Sequence, residues 1–312
     1  MKTVEFYIHV FAHEMHDFQR TVEMLKRNLS FVEEDVVFFN ITLNVSEYHY
    51  DWKQSKLPPA FFVNQFEGLC NMLPNVTKDV EYFEEIGCNT VRRNAARTCE
   101  KDFVGYLDLD LHFSIYTLHY MLNAIDKLCI EPLDWNRKEQ IILSGQIPRL
   151  WDDSWNIISN DEFIKMGVES KIWLKLDPYS LDKLVYNNLE TLGLKQLPYV
   201  KIGGGWMNLI ETSILRDVDV PDSLGAYGRD DTFVERSCNL LNENKITNIK
   251  QYVIDGLLVC EGRKYESYEP YLQDDMIKLN TQHNSYKEQR AMEAQNNFDT
   301  EITKMYKRVS ND

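Results

Sequence analysis

Short apolar runs and helix-spaced apolar residues alternate along the first part of the chain. Val4 to Phe11 is an apolar run that predicts a first strand, Asp17 to Leu29 carries apolar side chains at helical intervals, and Asp35 to Leu43 predicts a second strand. A strand, a helix and a second strand in this order are typical of a parallel sheet that is covered by helices. The pattern therefore predicts an α/β domain.

The same periodicities predict the remaining elements. Pro58-Pro59 predicts the start of a helix that runs to about Leu73, because proline is favoured in the first helical turn. Further helices are predicted at 78–86, 87–102, 114–127 and 178–192, and further strands at 103–107, 139–150 and 251–259. Residues 286–312 have mixed charge and few apolar side chains, which predicts a surface helix that frays into a tail.

The predicted strand Phe103 to Leu107 ends at two aspartates. Asp108 and Asp110 are two positions apart, so an extended chain places both carboxylates on the same side. Buried carboxylates need a positive partner, and divalent cations such as Mg²⁺ prefer carboxylate oxygens. Because ligands of open α/β sheets bind at the carboxyl ends of the strands, the pair is a candidate metal site. The alternative is that the two aspartates cap the following helix.

Composition and charge limit the partners of this protein. The sequence has 312 residues, of which 44% are hydrophobic, so the chain can bury a sizeable core. The formal net charge is -15 and no stretch concentrates lysine and arginine, which argues against a nucleic acid partner. In so acidic a protein, a phosphorylated ligand needs a metal ion or local arginines to offset charge repulsion.

Several features predict a cytoplasmic protein without a transmembrane segment. The apolar start of the chain is short and is interrupted by Glu5 and His9, unlike a signal peptide or a membrane span. The six cysteines show no Cys-x-x-Cys spacing, which favours reduced thiols. One Asn-x-Thr sequence, at Asn40, falls inside a predicted strand, where a glycan cannot be accommodated.

The helix before the Asp-x-Asp strand contains the pair Arg93-Asn94. An Arg-Asn helix followed by an apolar strand that ends in Asp-x-Asp resembles the nucleotide-sugar glycosyltransferases of the GT-A fold, especially the family-2 type. The resemblance implies a Rossmann-like, mostly parallel sheet flanked by helices in one compact domain. It also implies that Arg93 and Asp108 contact the nucleotide sugar, whereas the alternative for Arg93 is a surface arginine. The loop after the first strand, Ala12-His13, is expected to approach the nucleotide base.

Three consecutive glycines precede Trp206. Glycine allows a backbone to approach a ligand closely, and no Gly-Lys-Ser/Thr follows, which excludes a phosphate loop of the Walker type. The segment resembles the glycine turn that lies against donor sugar and acceptor in the same glycosyltransferases. The resemblance therefore implies that Gly204, Gly205 and Trp206 bind the donor, and the alternative is a plain tight turn.

The segment Gly228-Arg229-Asp230-Asp231 resembles the Gly-Glu-Asp sequence of inverting GT-A enzymes, in which a helix begins and the aspartate is the general base. Here an arginine stands where glutamate is usual. Ungapped matching makes Asp230 the base, which we prefer, whereas reading Asp-Asp as a substitute for Glu-Asp makes it Asp231. Adjacent carboxylates beside an arginine can have separated pKa values, which leaves one available to take a proton. The alternative is that Asp230 caps the helix.

His283 is the only histidine after His119. In many metal-dependent GT-A enzymes a late histidine is the third protein ligand, so the resemblance implies a metal site of Asp108, Asp110 and His283. Oxygen and imidazole ligands together favour Mn²⁺ over Mg²⁺. The alternative is a surface histidine with no role in the site.

The resemblance as a whole implies a metal-dependent glycosyltransferase of the hexosyltransferase type. It would move a sugar from a nucleoside diphosphate sugar, with UDP-sugars favoured, to a hydroxyl acceptor on a glycan, with inversion. Residues 1–113 would form the nucleotide-sugar-binding half, 114–285 the acceptor-binding and catalytic half of the same domain, and 286–312 a helical tail. The alternatives are a retaining glycosyltransferase, a sugar-phosphate nucleotidyltransferase and a non-catalytic carbohydrate-binding relative.

Overall fold

The structure is a computed structural model, and it describes residues 1–109, 111–130, 139–146, 149–151, 157–159, 192–202, 206–261 and 270–311. Three of the predicted site residues, Asp110, Gly204 and Gly205, lie outside these ranges. So does nearly all of the helix that the sequence predicts at 178–192.

The secondary structure of these ranges alternates between strands and helices. The strands are β1 (Val4–Phe11), β2 (Val37–Asn44), β3 (Val76–Glu81), β4 (Phe103–Leu107), β5 (Leu111–Phe113), β6 (Gln140–Gln146), β7 (Arg149–Trp151), β8 (Ile157–Ser159), β9 (Gly193–Gln196), β10 (Trp206–Glu211) and β11 (Ile249–Glu261). The α-helices are α1 (Met15–Leu29), α2 (Pro59–Cys70), α3 (Cys88–Thr98), α4 (Thr117–Ile130), α5 (Thr212–Val218), α6 (Asp230–Glu243) and α7 (Pro270–Asn311). Within the described ranges, none of these helices combines the length and the apolar character that crossing a bilayer requires.

A central sheet organises the described part of the chain, with the strand order β3-β2-β1-β4-β10-β6-β11-β5 and with β9 also paired to β11. The strands from β3 to β4 are parallel neighbours, and so are β6 and β11. β10 runs antiparallel between β4 and β6. Because β1, β2 and β4 run in the same direction, their carboxyl ends lie at one edge of the sheet.

Helices cover both faces of this sheet. Phe6 and Ile8 of β1 belong to a buried cluster with side chains of α1, α2 and α4, whereas Tyr7 of the same strand belongs to a second cluster with side chains of α3, α5, α6 and α7. Successive residues of a strand point to opposite faces, so β1 contributes to both cores. The predicted α/β class, a mostly parallel sheet flanked by helices, is confirmed.

The helix predicted at 78–86 is wrong. Val76–Glu81 forms strand β3, which pairs in parallel with β2 at the edge of the sheet. Its central residues Thr77, Lys78 and Asp79 are exposed. Polar and charged side chains are common on edge strands, where they discourage pairing with other molecules. The segment therefore lacks the apolar alternation by which a strand is recognised, and its pairing with β2 decides its structure.

The prediction of a fraying tail at 286–312 is also wrong. Helix α7 continues without a break to Asn311. Its side chains Ala294, Phe298, Met305 and Val309 are buried, and the last three belong to the second core. These positions are four, seven and four residues apart, so they lie on one stripe of the helix. A few apolar residues are enough to dock the helix because they share a single face.

Candidate functional site

The candidate site lies at the edge of the sheet where β1 and β4 end. β1 is followed by a 3₁₀ turn, Ala12–Glu14, and β4 is followed directly by Asp108. The backbone of Trp206 pairs with Leu107, because β10 runs antiparallel to β4. The first residue after the glycine run therefore lies beside the Asp-x-Asp segment.

One arginine joins two of the predicted site residues. Nη2 of Arg92 donates to Oδ1 of Asp108 at 2.9 Å, and Nη1 donates to Oδ2 of Asp230 at 2.9 Å. The side chains of Arg92 and Asp230 are only 11% and 7% exposed, whereas that of Asp108 is 39% exposed. Asp108 and Asp230, which are far apart in the sequence, therefore lie around a single guanidinium.

The position of Arg92 follows from the pattern of helix α3. Cys88, Arg92, Ala95 and Cys99 recur at helical intervals, and Ala95 and Cys99 are buried. The hydroxyl of Tyr106 on β4 donates to the backbone carbonyl of Arg92 at 3.3 Å, and its ring centroid is 5.3 Å from the guanidinium carbon. Burial lowers the pKa of Arg92, but the carboxylates around it raise that pKa more, to well above its usual value. The guanidinium therefore stays charged.

The amino end of α3 holds the loop that leads into α6. Asn89 donates from its backbone to the carbonyl of Ala226 at 3.1 Å and from its side chain to the carbonyl of Gly228 at 2.8 Å. A Cβ at Gly87 would overlap with the carbonyl oxygen of Ala226, so the two backbones touch. Gly228 has a φ of 90°, in the left-handed region that favours glycine. These contacts fix the distance between α3 and the first residue of α6.

Helix α1 anchors the turn after β4. The carbonyl oxygen of Leu109 accepts hydrogen bonds from Arg20 at 3.1 Å and from the hydroxyl of Thr21 at 3.2 Å. Arg20 in turn pairs with the buried Asp17 at 3.0 Å. Asp108 is therefore fixed at its neighbouring backbone by α1 and at its carboxylate by Arg92.

Asp231 has different surroundings from Asp230. Burial and the charge of Asp230 raise the pKa of Asp231, while Arg92 opposes the shift. Its Oδ1 accepts a hydrogen bond from the backbone nitrogen of Thr232 at 2.6 Å. Of the two adjacent carboxylates, Asp230 is held by the guanidinium, and the ionised form of Asp231 is disfavoured.

Arg93 turns toward the loop before α6. Its Nε pairs with Asp222 at 2.8 Å, and its Nη1 donates to the carbonyls of Pro221 and Gly225 at 3.4 and 3.3 Å. Its contact with the nucleotide stays a prediction.

The sequence reasoning missed Arg92, the neighbouring arginine that bonds Asp108 and Asp230. The available signal was its place in an otherwise apolar stripe, where a buried guanidinium needs carboxylate partners.

Ala12, His13 and His283 gather at the carboxyl end of β1, and all are buried. Nδ1 of His13 is 2.8 Å from the hydroxyl of Tyr50. The ring centroid of His283 lies 3.9 Å from that of Phe11 and 4.8 Å from that of His13. Burial, followed by the neighbouring histidines, lowers the pKa of His283. His283 is therefore a buried neutral ring, and the alternative of a surface histidine is wrong.

The predicted metal set is not assembled from the described residues. Within the ranges that the structure covers, no group of three or more histidine, cysteine, aspartate or glutamate side chains is arranged to hold a metal ion. Asp108 bonds the guanidinium of Arg92, His283 packs against aromatic rings, and Asp110 lies outside the described residues. The metal site stays a prediction, and no catalytic step is assigned to a metal ion.

A cysteine beside the site favours its thiol form. Sγ of Cys88 lies 3.7 Å from Nδ1 of His9. Burial raises the pKa of Cys88 to about 12, more than the nearby Arg92 lowers it. The reactive form of a cysteine is the thiolate, which burial disfavours here.

Comparison with known proteins gives matches among solved structures only, since no protein-family model and no curated protein matches the sequence. The chain is similar to residues 1–349 of S. aureus TarS in complex with UDP-GlcNAc, with 14% identity and a TM-score of 0.49 over 96% of this chain and 73% of that chain. It is also similar to GalNAc-T7 with UDP, GalNAc and Mn²⁺, with 12% identity and a TM-score of 0.48 over 92% of this chain and 50% of that chain. Likeness at this level carries no conclusion about activity.

Proposed function

We propose that the chain is a glycosyltransferase that moves a sugar from a nucleoside diphosphate sugar to a hydroxyl acceptor. The observation that carries the proposal is the guanidinium of Arg92, which bonds both Asp108 and Asp230. Asp108 belongs to the motif expected to bind the donor, and Asp230 to the motif expected to supply the base. The proposed reaction needs these two groups on either side of one sugar, and a shared guanidinium brings them that close.

The proposed chemistry is a single displacement at the anomeric carbon. A bond forms between the acceptor oxygen and the anomeric carbon, the bond from that carbon to the diphosphate oxygen breaks, and the electron pair of that bond leaves with the diphosphate. Asp230 takes the proton of the acceptor hydroxyl as that oxygen attacks. Attack from the face opposite the diphosphate inverts the anomeric centre. The sugar passes through an oxocarbenium-like state, as in glycoside hydrolysis.

The finer parts of the proposal come from the sequence resemblance. They are a uridine diphosphate donor, a hexose as the transferred sugar, a glycan as the acceptor and dependence on Mn²⁺ or Mg²⁺. A diphosphate also needs local positive charge in a protein with a net charge of -15, and the proposed metal ion would meet that need.

A thermal-shift screen of nucleotide sugars, each with and without Mn²⁺, is the first test, because a ligand that binds the folded state raises its unfolding midpoint. We expect at least one UDP-sugar to raise the midpoint and to be turned over with release of UDP. If no nucleotide sugar shifts the midpoint in either condition, the glycosyltransferase proposal fails. Binding without turnover of any donor would favour the non-catalytic relative.

The assignment of the base is tested with two isosteric variants. Asp230→Asn should keep the midpoint shift caused by the donor and lower the transfer rate by roughly 10²- to 10⁴-fold, since asparagine cannot take the proton. Asp231→Asn is the matched control, because it removes the adjacent carboxylate from the same helical turn. Loss of transfer in the control with retention in Asp230→Asn would move the base to Asp231.

A further inference from the structure

Arg92 connects two carboxylates that the proposed mechanism uses for different purposes. Asp230 has a side chain that is only 7% exposed, and its contact with Arg92 is 2.9 Å long. Asp108 is the more exposed partner of the same guanidinium. Strand β4 also holds Arg92, since the hydroxyl of Tyr106 donates a hydrogen bond to the backbone carbonyl of Arg92.

A general base must point at the proton that it accepts. The carboxylate of Asp230 is oriented by Nη1 of Arg92, which donates to its Oδ2 at 2.9 Å. The other end of the same guanidinium is bound by Oδ1 of Asp108 at 2.9 Å. Arg92 therefore holds the carboxylate of Asp230 toward the end of β4.

We propose that Arg92 is a positioning residue for sugar transfer, which keeps the carboxylate of Asp230 turned toward the end of β4 where Asp108 lies. The inference rests on the proposed function, because it assigns Arg92 a role through the base. The bidentate geometry is specific to arginine, since a planar guanidinium can serve two carboxylates at once and an ammonium group cannot do so with the same geometry.

The kinetic test compares Arg92→Met with Arg92→Lys. In Arg92→Met we expect kcat to fall at least tenfold while the midpoint shift caused by the donor persists. Arg92→Lys should recover only part of kcat, because an ammonium group cannot hold both carboxylates with the same geometry. An unchanged kcat in Arg92→Met, or loss of the donor shift, would overturn the proposal, since loss of that shift would make Arg92 a donor ligand.

A second measurement does not depend on activity. Arg92→Met should be less stable than the wild type at pH 7, because it removes the partner of the buried carboxylate of Asp230. Adding Asp230→Asn to Arg92→Met should recover part of this loss of stability, whereas adding Asp230→Asn to Arg97→Met should recover none of its loss. Arg97→Met is the matched control, because Arg97 lies on the same helix and its exposed guanidinium pairs with Asp219 and Asp222.

The two measurements separate the possible failures. If the wild type turns over no nucleotide sugar but Asp230→Asn recovers part of the stability that Arg92→Met loses, the proposed function fails and the coupling of Arg92 to Asp230 stands. If Arg92→Met and Arg97→Met lose the same small amount of stability and Asp230→Asn acts alike in both, the role of Arg92 fails whatever the activity of the wild type.

Discussion

Two adjacent arginines on helix α3 show how one residue position decides which partners a side chain meets. Successive residues of an α-helix point about 100° apart, so neighbours face different surroundings. Arg92 faces the sheet and bonds Asp108 and Asp230, whereas Arg93 faces the loop that contains Asp222. The sequence resemblance predicts a nucleotide contact on this helix, and only the packed structure distinguishes the two guanidinium groups.

Asp231 gives a prediction at the same scale. Because burial and the charge of Asp230 raise the pKa of Asp231, the folded protein holds a proton there at a higher pH than the unfolded chain does. Stability due to this group is therefore lost as the pH rises through the raised pKa. Asp231→Asn should flatten this dependence and be at least as stable as the wild type at pH 7. Unfolding midpoints from pH 4 to 8 test it, and a variant that is less stable throughout would show that the favourable position of Asp231 near the helix amino end dominates.

Among the elements, the contact between α3 and the loop before α6 determines whether the site forms. Gly87 at the amino end of α3 has no room for a side chain, because a Cβ would overlap with the carbonyl oxygen of Ala226. Any larger residue must push the helix and the loop apart. The same displacement would lengthen the contact between Arg92 and Asp230.

We predict that Gly87→Ala lowers the free energy of unfolding by about 1–3 kcal/mol, the usual cost of forcing atoms into a packed site. Chemical denaturation measures this change. Gly68→Ala is the control, because nothing lies within 4 Å of a Cβ there, on an exposed helical position. The control should be neutral or more stable by up to about 1 kcal/mol, since alanine restricts the unfolded chain. Equal free energies of unfolding for Gly87→Ala and the wild type would show that the loop before α6 moves away from the added methyl group at no measurable cost.

For the whole molecule, three distant parts of the chain meet around Phe11. His9 comes from β1, His49 from the loop after β2 and His283 from α7, with ring centroids 4.3, 5.1 and 3.9 Å from that of Phe11. Burial lowers the pKa of His9 to about 3 and that of His49 to about 4. These rings are neutral in the folded protein under conditions in which the unfolded chain protonates them.

The acid stability of the molecule should reflect this cluster. Below about pH 6.5, the ordinary pKa of histidine, the unfolded chain binds protons that the folded protein does not, so stability falls with the pH. His9→Leu removes one such group and should reduce the slope of the unfolding free energy against pH by up to about 1.4 kcal/mol per pH unit. Chemical denaturation of the wild type and of the variant at several values from pH 7 to 4 gives a curve of unfolding free energy against pH for each. Above pH 7 the two curves should differ by a constant offset, and curves that stay parallel down to pH 4 would contradict the prediction.

The sequence by itself determined the alternation of strands and helices, the α/β class and the positions of the acidic motifs, because periodicity and turn residues are local properties. Tertiary structure decided the rest. Pairing with β2 makes the polar segment Val76–Glu81 a strand, and a shared stripe docks α7 onto the second core. Only packing of α3 on the sheet and on the loop before α6 brings Arg92 to Asp108 and Asp230. Local patterns report which side of an element is apolar, but contacts between residues far apart in the chain depend on how the elements pack together.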